Sequence, residues 1–112
     1  MRELAWLRSS RRDVGMFPDD ARRRAGYELF LVQNGDEPSD WKPLPSVGLG
    51  VREIRIHTKL EHRVMYVTRL EDAIYVLHAF EKTTRKTARE DIELARGRLK
   101  DLLNARRTAK RK

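Results

Sequence analysis

The hydrophobic pattern changes period along the chain. From Val51 to Ile56 it alternates, with Ile54 and Ile56 on one face and Glu53 and Arg55 on the other, as in a half-buried strand. A polar connection, His57 to Glu61, leads into a second strand, Arg63 to Arg69, that carries Val64, Met65, Tyr66 and Val67. Leu70-Glu71-Asp72 turns the chain again. Ala73 to Phe80 is then apolar at nearly every position, which suits a strand covered on both faces in the middle of a sheet.

Helical spacing flanks these strands. Pro18 suits a first helical position, and Asp19 and Asp20 complement the positive end of the helix dipole. Ala21, Ala25, Leu29 and Val32 follow at helical intervals, and Asn34-Gly35 supplies a stop. Before this helix, Ser9-Ser10 offers a cap for a short helical turn from Arg11 to Phe17, and Glu3 to Leu7 predicts a short edge strand. After the strands, Thr87-Ala88-Arg89-Glu90 has the spacing of a capping box. Ala88, Ile92, Ala95, Leu99 and Leu102 then form a stripe that should pack on the sheet.

Asp36 to Gly50 holds three of the four prolines and reads as a loop, with Trp41 and Leu44 placed to pin it to the core. The predicted order is β-α-α-β-β-β-α. This is an α+β domain over residues 1–105, a small antiparallel sheet with N-terminal helices and a C-terminal helix packed on it. Residues 106–112 form a basic C-terminal tail.

Composition narrows the function. A chain of 112 residues suits one domain. Lys and Arg total 25 against 17 Asp and Glu, a net charge of +8, and the pI is near 10.3. That field favours a polyanion, and nucleic acid is the expected partner. No apolar run is long enough to span a membrane, no signal-peptide core is visible and cysteine is absent. A cytoplasmic location without a membrane partner is the expectation. There is no Gly-rich phosphate loop and no HExxH. His57, His62 and His78 do not fall at metal-ligand spacings, so neither a metal nor another cofactor is expected.

The candidate chemistry is a set of cations and one tyrosine on successive strands. Arg52 and Arg55 lie on the first and Arg63 and Tyr66 on the second. His78 lies near the end of the third, followed by Lys82, Arg85 and Lys86. Antiparallel pairing brings strand neighbours within about 5 Å, so these groups could share one patch. Such a patch suits RNA cleavage by a ribose 2′-hydroxyl. Negative charge builds on the phosphoryl oxygens, where an arginine fork can donate two hydrogen bonds. A lysine, tyrosine or histidine must move a proton. The same residues would serve a surface that only binds RNA. His78, on a largely apolar strand, equally fits a core histidine, and Arg55 an ion-pair partner of its neighbours.

At these residues the chain resembles the phage-derived Gp49-like branch of the RelE/HigB toxin superfamily. The similarity runs from Trp6 to Leu103. It includes Trp6-Leu7-Arg8-Ser9-Ser10-Arg11-Arg12-Asp13, Phe17-Pro18, Gly26-Tyr27, Gln33-x-Gly35 and Lys42-Pro43-Leu44. It is strongest from Glu53-Ile54-Arg55 through Arg63-Val64-Met65-Tyr66 to Leu77-His78-Ala79-Phe80-Glu81-Lys82. It closes on Thr84-Arg85-Lys86-Thr87 and Glu90 with Ala95. The resemblance implies a RelE-like fold and a toxin that cleaves mRNA on the ribosome, silenced by a cognate helix-turn-helix antitoxin. It implies Arg55 and Arg63 as phosphate and transition-state contacts, with Tyr66, Lys82 and Lys86 moving protons or positioning RNA. Arg52, His78 and Arg85 are the accompanying RNA-binding candidates. The expected function is a ribosome-dependent mRNA endoribonuclease of a type II toxin–antitoxin pair, whose partners are mRNA, rRNA and the antitoxin. The alternatives are a non-catalytic phage-derived module that binds nucleic acid or protein, and a RelE-like protein that has lost its toxicity and kept antitoxin binding.

Overall fold

The computed structural model describes Met1 to Lys110. Its elements are β1 (Leu4–Trp6), α1 (Ser10–Gly15), α2 (Asp19–Gln33), β2 (Trp41–Pro43), β3 (Val51–His57), β4 (Glu61–Val67), β5 (Ile74–Glu81) and α3 (Arg89–Lys110). The five strands form one sheet in the order β1-β5-β4-β3-β2. The α+β architecture is the predicted one, with helices on both faces.

The sheet is mixed where an antiparallel one was expected. β2, β3, β4 and β5 pair antiparallel, but β1 joins β5 in parallel, with Leu4 opposite Ile74 and Trp6 opposite Val76. No hairpin dictates the direction of β1, because two helices and three strands separate it from β5 in the chain. The second difference is β2, inside the proline-rich stretch read as loop. It runs along β3 at the sheet edge, with Trp41 opposite Ile54 and Pro43 opposite Arg52. An edge position accommodates a proline that has no ladder N–H to give.

The alternation read in the sequence divides the sheet into two cores. On one face, Ile54, Ile56, Val64, Tyr66, Ile74 and Val76 pack against Val14, Phe17, Ala21, Ala25 and Leu29 of the N-terminal helical region. On the other, Val51, Met65, Val67 and Leu77 pack against Ala95 and Leu99 of α3 and Leu44 and Val47 of the loop after β2. β5 is therefore covered on both sides, as its near-continuous apolar run requires. The β4–β5 register shifts between Met65 and Tyr66, leaving Leu77 as the extra residue.

Local signals held in part. Ser10 begins α1, and its buried hydroxyl donates to the Val76 carbonyl. Asn34 ends α2, and Gly35 follows at φ +84°, a left-handed conformation suited to glycine. The capping box did not form. α3 starts at Arg89, and the Thr87 hydroxyl donates to the Glu53 carboxylate 3.1 Å away. A buried carboxylate in need of a donor outcompetes an exposed helix end. At the other end α3 continues through the first part of the basic tail to Lys110, with Arg106 donating to Asp72 at 2.8 Å. Arg111 and Lys112 lie outside the described residues. Among the described residues no helix is long and apolar enough to cross a membrane.

Candidate functional site

α3 meets the sheet near the end of β5 and runs back along that strand, because Asp91 contacts His78 while Arg106 reaches Asp72. The rim of the sheet at that same end, formed by the last residues of β3 and the first of β4 beside the end of β5, lies beyond the helix start. The strand register puts Arg55 directly opposite Arg63, and His57 opposite Glu61. Glu53 precedes them on the same face, and Lys42 of β2 stands opposite Glu53.

Two layers of charge result. The inner one centres on Glu53, which is fully buried. Its carboxylate accepts from Thr87 and has Arg63 Nε at 3.8 Å and Lys42 Nζ at 3.9 Å. Arg63 is itself buried, and its Nη1 donates to Glu61 Oε1 at 3.0 Å and to the His62 carbonyl at 2.9 Å. The outer layer is a chain of alternating charge. Arg55 donates to Asp40 Oδ1 through Nε at 3.0 Å, and the His57 ring touches Asp40 Oδ2 through Nε2 at 2.6 Å and Glu61 through Nδ1 at 2.8 Å. Glu61 closes the chain onto Arg63. The outer groups are about one-third to one-half exposed.

These contacts shift the pKa values of the outer layer. Hydrogen bonds that the His57 ring donates to Asp40 first and Glu61 second raise its pKa above the ordinary 6.5. The bond to His57, aided by Arg55, lowers that of Asp40, and His57 and Arg63 lower that of Glu61. The His57 contribution to stability is complete below pH 6.5 and is lost as pH rises through its raised folded value. The carboxylate contributions are complete above their ordinary values and are lost as pH falls through the lowered ones. Pairing is strongest between those limits. Asp40→Ala is expected to move the His57 pKa down towards 6.5, because it removes the largest cause of the upward shift. An NMR titration of the ring checks this, and an unmoved pKa would contradict the assignment.

The remaining sequence candidates divide between places. His78 faces α3 and is buried, with Nε2 2.7 Å from Asp91 and its ring stacked on Phe80 at 4.8 Å. It is a paired core histidine and does not front the open end. Lys82 follows β5 beside Glu61, whose carbonyl accepts the Lys82 backbone N–H at 2.7 Å. Its Nζ is held by the carbonyls of Thr84 and Arg85. Arg85 and Lys86 are exposed on the same loop.

Arg52 and Tyr66 do not join this group. They lie opposite one another on the other face of the sheet. Arg52 stacks on Trp41 at 4.2 Å and approaches Glu37 at 3.8 Å. Tyr66 is fully buried, burial pushes its phenol pKa up, and its hydroxyl has no hydrogen-bond partner among the described residues. The expectation that one patch unites all these side chains is therefore corrected. A strand places alternate residues on opposite faces, so Arg52 cannot accompany Arg55, nor Tyr66 accompany Arg63. Phosphate contact by Arg63 and proton transfer by Tyr66 conflict with their burial.

Sequence reading missed Asp40, Lys42, Glu53, His57 and Glu61. For His57 and Glu61 a signal existed: the alternation that puts Glu53 and Arg55 on one face extends to His57, and the hairpin then returns Glu61 beside it. Asp40 carried none, because its place depends on the path of the loop before β2. Among the described residues no group of three or more carboxylates or imidazoles is arranged to hold a metal ion.

The outer layer has the form of an anion site. One carboxylate, that of Asp40, is gripped on one oxygen by a guanidinium and on the other by an imidazole. A phosphate presents the same pair of acceptors. No curated protein matches the chain. Residues 12–100 match the family described as phage derived protein Gp49-like (DUF891), and the chain belongs to that family.

Proposed function

We propose that this Gp49-like protein is the toxin of a type II toxin–antitoxin pair, a RelE-type endoribonuclease that cuts mRNA presented by the ribosome, and that Arg55, His57 and Asp40 form its reaction centre. The observation that carries the reading is the convergence of Arg55 and His57 on the two oxygens of Asp40, at 3.0 and 2.6 Å, on the end of the sheet that α3 leaves open. Family membership and the net charge of +8 support the choice of RNA. The action would take place wherever ribosomes translate, with the cytoplasm as the compartment and a helix-turn-helix antitoxin as the silencing partner.

In this mechanism the scissile phosphate takes the place of the Asp40 carboxylate between Arg55 and His57. The ribose 2′-oxygen attacks phosphorus, and the displaced Asp40 accepts the 2′-hydroxyl proton. The new P–O2′ bond forms as the P–O5′ bond breaks, leaving a 2′,3′-cyclic phosphate. His57 gives its proton to the departing 5′-oxygen, and Arg55 neutralises the charge that builds on the phosphoryl oxygens. Glu61 keeps the imidazole charged and oriented from its other nitrogen. Arg63 is a positioning residue that holds Glu61 and Glu53. Lys82, Arg85 and Lys86 draw the strand towards the centre.

A second reading has a specific observation behind it. Both ring nitrogens of His57 are engaged and both arginines are ion-paired, which also suits a fixed network in a non-catalytic binding module. One experiment separates the two. Purified protein is added to translating ribosomes and, separately, to free mRNA. Cutting confined to the ribosomal sample is expected from the toxin, and intact mRNA in both would favour the binding module.

A further inference from the structure

A groove away from this centre runs between α3 and the loop that follows β2. Arg69, Arg96, Lys100 and Arg107 line a hollow of about 520 Å³ whose apolar floor includes Val47, Leu99 and Leu103. No carboxylate lines it. The nearby acidic residues of α3 are engaged elsewhere, Glu93 by Arg89 and Asp101 by Arg8. Among the described residues none of the four cations forms an ion pair. Arg96 and Arg69 donate only to backbone carbonyls, those of Ser46 and Leu49. Neutral carbonyls orient the two guanidinium groups and leave their charge uncompensated.

Gly48 and Leu49, at the edge of this groove, also line a second, adjoining hollow around the β2 edge, bounded by Trp41 and Arg52. Gly48 makes the close approach possible: a Cβ there would lie 2.5 Å from the Leu99 side chain. Arg96, Lys100 and Arg107 lie four and seven residues apart, so they follow one stripe of α3 with axial steps of about 6 and 10 Å. In that second hollow the Trp41 indole is partly exposed, with the Arg52 guanidinium stacked on its ring at 4.2 Å. A row of cations leading to an aromatic platform is how proteins hold a single nucleic-acid strand: the charges follow the phosphates and the ring stacks a base.

We propose that this groove is a docking track for the sugar–phosphate backbone of a single RNA strand, with Trp41 as the stacking platform for one base. An acidic protein helix would also satisfy the charges; a nucleic-acid strand matches them with evenly repeated phosphates and, in its bases, supplies a broad flat partner for the Trp41 ring. The proposal rests on the reading of the chain as an RNA-acting protein, though not on cleavage.

The test is equilibrium binding of a labelled 12-nucleotide oligouridylate, followed by fluorescence anisotropy across a salt series. Lys100→Glu/Arg107→Glu reverses two exposed charges that make no other ion pair. It is expected to weaken binding by about tenfold or more and to flatten the log–log salt slope by about 1.4, two single-strand phosphate contacts at about 0.7 each. In a Trp6→Phe background the remaining tryptophan, Trp41, is expected to be quenched as RNA saturates the protein. Unchanged affinity and slope in the double variant, or tryptophan emission insensitive to RNA, would overturn the proposal. So would poly-glutamate binding tighter than the oligouridylate, which would assign the groove to an acidic protein. Loss of oligouridylate binding in the double variant stands apart from ribosomal cleavage by the unaltered protein, so failure of the groove and failure of the toxin reading give different results.

Discussion

Arg63→Ala is expected to destabilise the fold by about 3–5 kcal/mol, the usual consequence of removing one partner from a buried ion pair. Arg63 is 6% exposed and Glu53 0%. Without the guanidinium, Glu53 keeps only the Thr87 hydroxyl and the half-exposed Lys42 ammonium 3.9 Å away. The deletion also removes the donor that Glu61 and the His62 carbonyl share. Urea unfolding measures the loss as a lowered midpoint at unchanged slope. Glu53→Leu/Arg63→Leu is expected to recover most of it, since a buried ion pair replaced by apolar side chains is often neutral. Lys42→Ala should cost far less, because water already screens that ammonium. A loss below about 1 kcal/mol for Arg63→Ala would mean that Glu53 is solvated, contrary to the geometry.

The second large effect is on cleavage. Under the proposed mechanism, removing its proton donor with His57→Ala is expected to slow ribosome-dependent mRNA cutting by about a hundredfold or more, the usual range for general acid–base catalysis. Arg55→Ala should fall in the same range through lost charge stabilisation at the phosphoryl oxygens. Neither change should unfold the protein, because both side chains are at least one-third exposed and exposed pairs contribute little to stability. Cutting should decline as pH rises through the raised His57 value, where the acid loses its proton. Full activity in His57→Ala, with the melting temperature unchanged, would remove the imidazole from the reaction.

Strand alternation in β3 and the apolar run of β5 were legible because burial on one or both faces writes itself into every second residue or into all of them. The α2 and α3 stripes were legible for the same reason at helical period. The parallel docking of β1 was not, since direction at a sheet edge is decided by which edge is free. β2 was hidden because a three-residue edge strand containing proline leaves no periodic trace. Thr87 matched a capping box in spacing, but the buried Glu53 carboxylate recruited its hydroxyl.

The site was half legible for a related reason. Residue type suggested phosphate chemistry at Arg55, and its place on the open sheet face supports that. Type alone could not show that Arg52 and Tyr66 point the other way, although the parity of their positions within β3 and β4 could have. Nor could type show that Arg63 is buried. His57, read as part of a polar hairpin, gains its interest only from Asp40, a loop residue seventeen positions earlier.

In the proposed reaction centre, the Asp40 carboxylate stands where a phosphate would bind between Arg55 and His57. Titration with inorganic phosphate, followed through the His57 ring and Arg55 Nε resonances by NMR, tests it most directly. Saturable shifts are expected in both side chains, at lower phosphate concentration in Asp40→Ala and absent from the His57 ring in Arg55→Ala. Resonances that stay still in the unaltered protein and in Asp40→Ala alike would contradict it.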